Sequence, residues 1–454
     1  MEQLHIGVSR ALATHAARTR FEDLPDGVVG AFKRALIDFM ACAIAGSAMP
    51  VSKAMLAYFE ESDATRTTTV IGTSAKLSAT NAAMVNGANV HALDFDDGYM
   101  QAAAHPGGCV FPAVFAAAER TGASAEQVIA AVVVGYDVML RIGGAMHPVA
   151  ASRGFHNTPL AGVFGAAAGV ANLLEFDAEQ TLNALGLAGS FAGGIREYLD
   201  EGAEVKRIHA GKAARDGLLC AELAKRGITG PTKVLEGRYG IFHTHVGDQV
   251  RWERLLDGIG KRYEISQVYF KPYPSCRGTH PFIEAIKILR EQHEYSPRDV
   301  VRVDLGGHGL AVNGHDQKRH DNLLDAQMSI PCAAGLAVVF GDVTTQMFLP
   351  ETLERADVEA VIERSNVYID DECERLYPQK RSAFVRIALQ DGRNLEHRLL
   401  DPKGEHDNPM TDGDLEAKLT SNCQPLIGLA RCVRLVEQAW DFEKIGSIRE
   451  FLAA

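Results

Sequence analysis

Leu160-Ala-Gly-Val-Phe-Gly-Ala-Ala-Ala-Gly-Val-Ala-Asn-Leu-Leu174 is apolar but for Asn172 and built largely from glycine and alanine. Glycine costs a helix about 1 kcal/mol relative to alanine, so such a run suggests helix axes packed closely inside a large bundle. The pattern continues in 178–190, with Ala184-Leu-Gly-Leu-Ala-Gly189. Upstream, 28–45, 51–60, 78–90, 110–121 and 125–141 carry apolar residues at helical spacing. Asp38, close to Ala41 and Ala45, fits close helix packing. Ser124-Ala-Glu-Gln127 has the form of a capping box.

The apolar stretches around 128–134 and 160–174 read as too short, or too rich in Gly and Ala, to span a bilayer. Met1-Glu-Gln-Leu-His5 has no basic region followed by an apolar run. The expectation is a cytoplasmic protein with no membrane partner. The chain has 454 residues, net charge −12 and 46% hydrophobic content. That suits a two-domain globular protein and argues against a groove that tracks nucleic-acid phosphates. The eight cysteines form no CxxC pair and read as free thiols.

Downstream, the run 203–225 concentrates Lys206, Arg207, His209, Lys212 and Arg215. It reads either as a solvated basic face or as a local anion-binding cluster. Lys212 and Arg215 are solvated or paired with Asp216. The pattern changes near 266. Residues 267–274 look extended, 279–291 helical, and 300–305 alternate like a strand. A helix is expected over 322–341 and another over 358–365. Residues 383–389 and 395–400 around Asp391-Gly392 read as a β-hairpin. Helix returns at 412–419 and 427–438. The expected architecture is mainly α: a large all-helical domain from 1–265 and 405–454, with a smaller α+β lid, 266–404, inserted before the C-terminal helices.

The densest polar chemistry lies in His91-Ala-Leu-Asp-Phe-Asp-Asp97, followed by Gly98 and by His105-Pro106-Gly-Gly108. Asp96 and Asp97 read as helix caps or loop anchors. His243 and His245, taken as alternate residues of a strand, share a face, but no partner set for a metal accompanies them.

These segments together resemble the MmgE/PrpD family, whose members include 2-methylcitrate dehydratase, cis-aconitate decarboxylase and iminodisuccinate epimerase. The resemblance covers nearly the whole chain. It rests on Asn86-Gly-Ala-Asn-Val-His-Ala-Leu-Asp-Phe-Asp-Asp97 with His105-Pro106, Gly135-Tyr-Asp-Val138 and Gly154-Phe-His156. It continues in Lys206-Arg-Ile-His-Ala-Gly-Lys212, and in Lys271-Pro-Tyr-Pro-Ser-Cys276 with Thr279-His280. Asp325-Ala-Gln-Met-Ser-Ile-Pro331, and Asp401-Pro-Lys-Gly-Glu405 before Asn408-Pro-Met410, complete it.

The resemblance implies a cleft between helical domain and lid, no metal or organic cofactor, a homodimer, and a small polycarboxylate substrate. Carried over residue by residue, it implies catalytic roles for Asp94, His105, His156 and Lys206. His105 is the candidate acid/base, since an imidazole titrates near neutrality. Asp94 orients it or shares the proton work. Lys206 and His156 neutralise substrate carboxylates. Substrate-binding candidates are Arg277 and His280 from the lid, Cys276 by position, and Tyr136, a candidate second acid that reads more readily as a buried core tyrosine.

Dehydration of a citrate or 2-methylcitrate type of substrate ranks first, epimerisation of an iminodisuccinate-like dicarboxylate second, and cis-aconitate-type decarboxylation third. Two positions depart from the decarboxylases: Gly98 stands where they carry Thr, and Cys276 where they have Phe-Pro-Ala-His. A binding protein for polycarboxylates is the non-enzymatic alternative. An isoprenoid synthase is disfavoured, because Met100 stands where a DDxxD motif needs its last Asp.

Overall fold

A computed structural model of the chain describes residues 7–453; the run Met1–His5, read above for a leader, lies outside the described residues. The protein is mainly α, with one four-stranded sheet and one two-stranded ribbon. Two large hydrophobic cores organise it.

The first core is helical. Its centre is the Gly/Ala-rich helix Asn157–Leu173, buried along its whole length and packed against Ala125–Met146 and Val205–Lys225. Backbones touch here because side chains are missing. A Cβ at Gly165 would lie 2.5 Å from Met139 Cβ and 2.6 Å from the Gly135 carbonyl oxygen, so glycine is required by close approach. Ser124 caps Ala125–Met146 as a capping box: its hydroxyl accepts from the Gln127 amide, and the Gln127 side chain accepts from the Ser124 amide. That helix runs five residues past 141, and it is long and apolar enough to cross a membrane, which corrects the sequence reading. Its most apolar window is entirely buried in the core, where an all-round apolar helix belongs.

The second core belongs to the α+β part. Strands β3 (Val300–Gly307), β4 (Ser365–Ile369), β5 (Ala383–Leu389) and β6 (Asn394–Leu399) are ordered β4-β3-β5-β6. β3 and β4 are parallel and the other pairs antiparallel. Ala383, Val385, Ile387 and Leu389 alternate inward along β5, and the helix His280–Gln292 packs on β5 and β6. β4 was not legible: five residues directly after a helix offer too short a pattern. The same holds for β1 (Thr68–Thr69) and β2 (Lys76–Leu77). The helix expected over 322–341 is two helices, Leu323–Met328 and Ile330–Phe340. They break at Ser329, whose hydroxyl accepts from the Cys332 amide to start the second.

The C-terminal helices Asp412–Ile427 and Leu429–Trp440 return to Asp26–Ser47, and their buried side chains join the helical core. One buried ion pair fastens them. Lys418 Nζ donates to Asp38 Oδ1 at 2.6 Å, to the Phe95 carbonyl at 2.6 Å and to the Lys271 carbonyl at 3.0 Å. Thus one ammonium ties the C-terminal helix to the Asp-rich loop and to the chain entering the α+β part. Burial raises the Asp38 carboxyl while Lys418 lowers it. Lys418→Met is expected to destabilise by about 3–5 kcal/mol, because Asp38 is left buried and unpaired. Lys418→Met with Asp38→Leu should recover most of that loss, as read by denaturant unfolding.

Candidate active site

The Asp-rich segment leaves the helix Ala79–His91 and reaches the next helix, Gly107–Thr121, through a buried loop. Asp94 is its pivot. Its backbone lies in the left-handed region at φ 50°, which Asp tolerates better than most residues. Lys271 Nζ donates to its carbonyl oxygen at 2.8 Å and to its Oδ1 at 2.6 Å. Lys206 Nζ lies 2.7 Å from its Oδ2. Burial acts to raise the Asp94 carboxyl, but the two lysines outweigh it and hold the group well below the usual range. An ion-paired, permanently ionised Asp94 is an anchor, so proton sharing by this residue is not what the geometry favours. Burial lowers Lys206, with Asp94 opposing.

His105 sits at the end of the loop. Its Nδ1–H donates to the Asp97 carbonyl at 2.7 Å, which leaves Nε2 with its lone pair. Burial pushes the imidazole down to about 3, with Asp96 working the other way, so the ring is neutral at physiological pH. Asp97 holds this arrangement: it accepts from the Gly107 amide at 2.9 Å and from the Tyr136 hydroxyl at 2.8 Å. Asp96 pairs with His91 Nδ1 at 2.8 Å. Burial would raise the Asp96 carboxyl, but His91 and His105 hold it below the usual range. Among the described residues, His91, Asp96 and His105 are the one group with the spacing of metal ligands.

A cavity between the two cores is lined by Asp94, His105, His156, Lys206, Cys276 and Arg277. Six of the eight candidate residues therefore meet in one place, drawn from segments 180 residues apart. The cavity measures about 120 Å³. Residues that sequence reading missed complete the lining: Arg196, Tyr198, Tyr269, His308, His315, Tyr377 and Arg381. None of these had a local signal; apart from Tyr198, which opens the short helix Tyr198–Glu201, each stands outside the helices and strands and is brought in by tertiary packing.

Tyr136 and His280 are placed otherwise, which corrects their reading as substrate-binding groups. Tyr136 is fully buried, packed edge-on against Phe111 and bonded to Asp97. His280 is fully buried behind the cavity wall. Its Nδ1 accepts from Arg277 at 2.8 Å, and its Nε2 donates to the Ser275 carbonyl at 3.3 Å. Both support the site without reaching it. Arg277 lines the cavity but is heavily engaged: it donates to Glu405 at 3.0 Å and to the Lys403 carbonyl, and its guanidinium lies over Tyr269. Glu405 also accepts from Arg381 at 3.2 Å.

The charge expected on His156 is absent as well. Its Nδ1 lies 2.8 Å from His209 Nδ1, and burial, then His209, hold it well below its usual range. A neutral imidazole offers hydrogen bonding but no charge to an anion. The basic run on Val205–Lys225 is split accordingly. Lys206, Arg207 and His209 are buried, whereas Lys212 and Arg215 pair with Asp216. His243 and His245 lie in the short helix Ile241–His245, not a strand, so they do not share a face.

Gln327 joins the two halves behind the cavity. Its side chain donates to the Leu93 and Pro274 carbonyls, both at 2.8 Å, and accepts from Arg207 at 3.0 Å; its carbonyl accepts from the Cys276 amide at 2.9 Å. Gly98 exchanges backbone hydrogen bonds with Tyr269. A Cβ there would lie 2.3 Å from the Tyr269 ring, so the tyrosine occupies the space a threonine side chain would need.

Burial sets the pH behaviour of the fold. His105, His147 and His308 are each pushed down to about 3 and His209 to about 4, with His156 and His280 well below their usual range. An imidazole whose folded pKa is depressed takes up its proton on unfolding, so stability falls as pH drops below the unfolded value of about 6.5. Asp38 and Asp97, raised by burial, oppose this, but they are outnumbered. The melting temperature is therefore expected to fall steadily from about pH 6.5 to about pH 4, as followed by circular dichroism.

The N-terminal domain model of MmgE/PrpD matches residues 10–253 and the C-terminal domain model matches 273–442. The cis-aconitate decarboxylase-like protein oryM of Aspergillus oryzae is 28% identical over 470 residues, covering 98% of this chain and 96% of that protein. The cis-aconitate decarboxylase of Homo sapiens is 24% identical, with 96% and 92% covered. The 2-methylcitrate dehydratase of Escherichia coli is 24% identical, with 83% and 82% covered. With both domain models matched in order, the chain belongs to the MmgE/PrpD family.

Proposed function

We propose that the protein is a cofactor-independent lyase that removes a proton α to a carboxylate of a small polycarboxylate and expels a β-hydroxyl as water. The observation that carries this reading is the neutral His105, its Nδ1–H committed to the Asp97 carbonyl, on the same cavity as Lys206. A neutral imidazole with one free lone pair is a base. Lys206, Arg196 and Arg381 supply cationic character for carboxylates and for the enediolate that develops as the proton leaves. An anionic substrate would also raise the proton affinity of His105 as it binds. Relatives named 2-methylcitrate dehydratase and cis-aconitate decarboxylase support the substrate class.

Decarboxylation is the second reading, favoured by the relatives that cover nearly the whole chain. The Tyr269 ring against Gly98, and Cys276 on the cavity, set this chain apart from the decarboxylase pattern. Epimerisation shares the first step and differs in returning the proton to the opposite face. A homodimer is proposed with the family.

The test is incubation with citrate, 2-methylcitrate, cis-aconitate and iminodisuccinate in deuterated water, followed by NMR. Alkene formation from a hydroxy acid is the expected result. Loss of CO2 would transfer the assignment to the decarboxylase, exchange with inversion to the epimerase, and inertness toward all four would sink the substrate class. His105→Gln is expected to lower turnover by about 10²–10⁴-fold with an unchanged circular dichroism spectrum.

A further inference from the structure

Cys276 differs from every other cysteine in the chain. The remaining seven are buried, and burial raises the thiol of each. Cys276 is partly open and lines the cavity. Its Sγ lies 3.4 Å from His315 Nε2, and His315 lines the same cavity from a lid turn, 4% exposed. The backbone that carries the thiol is pinned: the Cys276 amide donates to the Gln327 carbonyl, and its own carbonyl accepts from Thr279 through both amide and hydroxyl at 2.9 Å. His315 is fixed by its carbonyl, which accepts from the Ile330 amide at 2.8 Å. Its buried Nδ1 has no hydrogen-bond partner.

We propose that Cys276 and His315 form a thiol–imidazole dyad that supplies the second proton-transfer group of the reaction, opposite in origin to His105: His105 comes from the helical core and the dyad from the α+β part. The proposal rests on the lyase reading above and deepens it. An elimination needs an acid for the leaving hydroxyl as well as a base for the Cα proton. His105 Nε2 takes the Cα proton and the C–H electron pair passes into an enediolate; that pair then forms the new double bond as the C–O bond breaks with its electrons. The proton that the dyad holds between Sγ and Nε2 completes the water molecule. The dyad is reprotonated, and His105 deprotonated, through solvent as product leaves. Cys276 and His315 act as one unit: the proton is shared between Sγ and Nε2, and removing either partner removes the acid.

The surrounding charges fit this role. Burial acts to raise the Cys276 thiol, but His315, through charge and hydrogen bond, and then Lys206 bring it down to about 6, against opposition from Asp94. Arg381, Tyr198 and Tyr269 also feel its charge. A thiol poised near neutrality beside a histidine exchanges its proton readily; the buried thiols elsewhere do not.

Two measurements test the dyad. The first is the rate of iodoacetamide alkylation of Cys276 against pH, by mass spectrometry, in wild type and His315→Gln. The expected wild-type profile is half-maximal near pH 6, and His315→Gln should move that midpoint upward by about two pH units toward a free thiol at about 8.5. A wild-type midpoint at 8.5 or above, or one that His315→Gln leaves in place, overturns the dyad.

The second follows Cys276→Ser and Cys276→Ala with the substrate that wild type turns over. Both should retain His105-dependent exchange of the Cα proton for deuterium while losing water elimination by about 10²–10⁴-fold. Elimination within threefold of wild type in either folded variant overturns the proton-donor role. A wild-type protein inert toward the whole substrate panel defeats the lyase reading instead, and the alkylation profile then decides the dyad alone.

Discussion

The site depends on one buried carboxylate. Asp94 holds Lys206 from the helix Val205–Lys225 on one oxygen and Lys271, at the entry to the α+β part, on the other. Its carbonyl takes Lys271 a second time. Ion pairs this deeply buried offset their desolvation only when geometry and hydrogen bonding are complete. Here the pairing holds a strained left-handed backbone in place and joins three segments that are far apart in sequence. Lys418 repeats the device a few residues away, tying Asp38, Phe95 and Lys271 to the C-terminal helix. Helical core, Asp-rich loop and the entry to the α+β part are thus locked by two ammonium–carboxylate clusters rather than by apolar packing alone.

Burial then assigns charge states that residue types alone do not. Histidine is ordinarily half-charged near neutrality, yet His105 and His156 are held neutral. Cationic character in the cavity therefore falls to lysine and arginine, and the imidazoles are left to exchange protons and bond oxygens. The same desolvation that silences seven thiols is outweighed at Cys276 by a neighbouring imidazole. A cavity lined from two cores can place a base on one side and a proton donor on the other, which suits chemistry that removes a proton and expels a group.

The contact of Gly98 with Tyr269 carries similar weight. Their backbones pair, and the tyrosine ring fills the space over the glycine while lying under Arg277 and near Arg381. Glu405 holds both arginines from behind. The Asp401–Glu405 stretch thereby acts on the cavity without lining it, and a side chain at position 98 would disturb the whole stack.

Apolar periodicity and the Gly/Ala run make the helical character of the larger part legible in the sequence, and alternation around Asp391-Gly392 does the same for the β-hairpin. The sequence also singled out Asp94, His105, His156, Lys206, Cys276 and Arg277, because dense polar groups between apolar helices and an ordered set of family motifs are local features. It did not reveal β4, whose five residues pair in parallel with a strand over sixty positions earlier. Nor did it separate groups that line the cavity from those behind it: His280 shares a motif with Cys276, and Tyr136 stands in a motif of its own, yet both lie in packed interior. Arg196, His315 and Arg381 stand in no pattern at all. Tertiary structure decided these, since only packing fixes which side chains converge, which are stripped of water, and so which carry a charge.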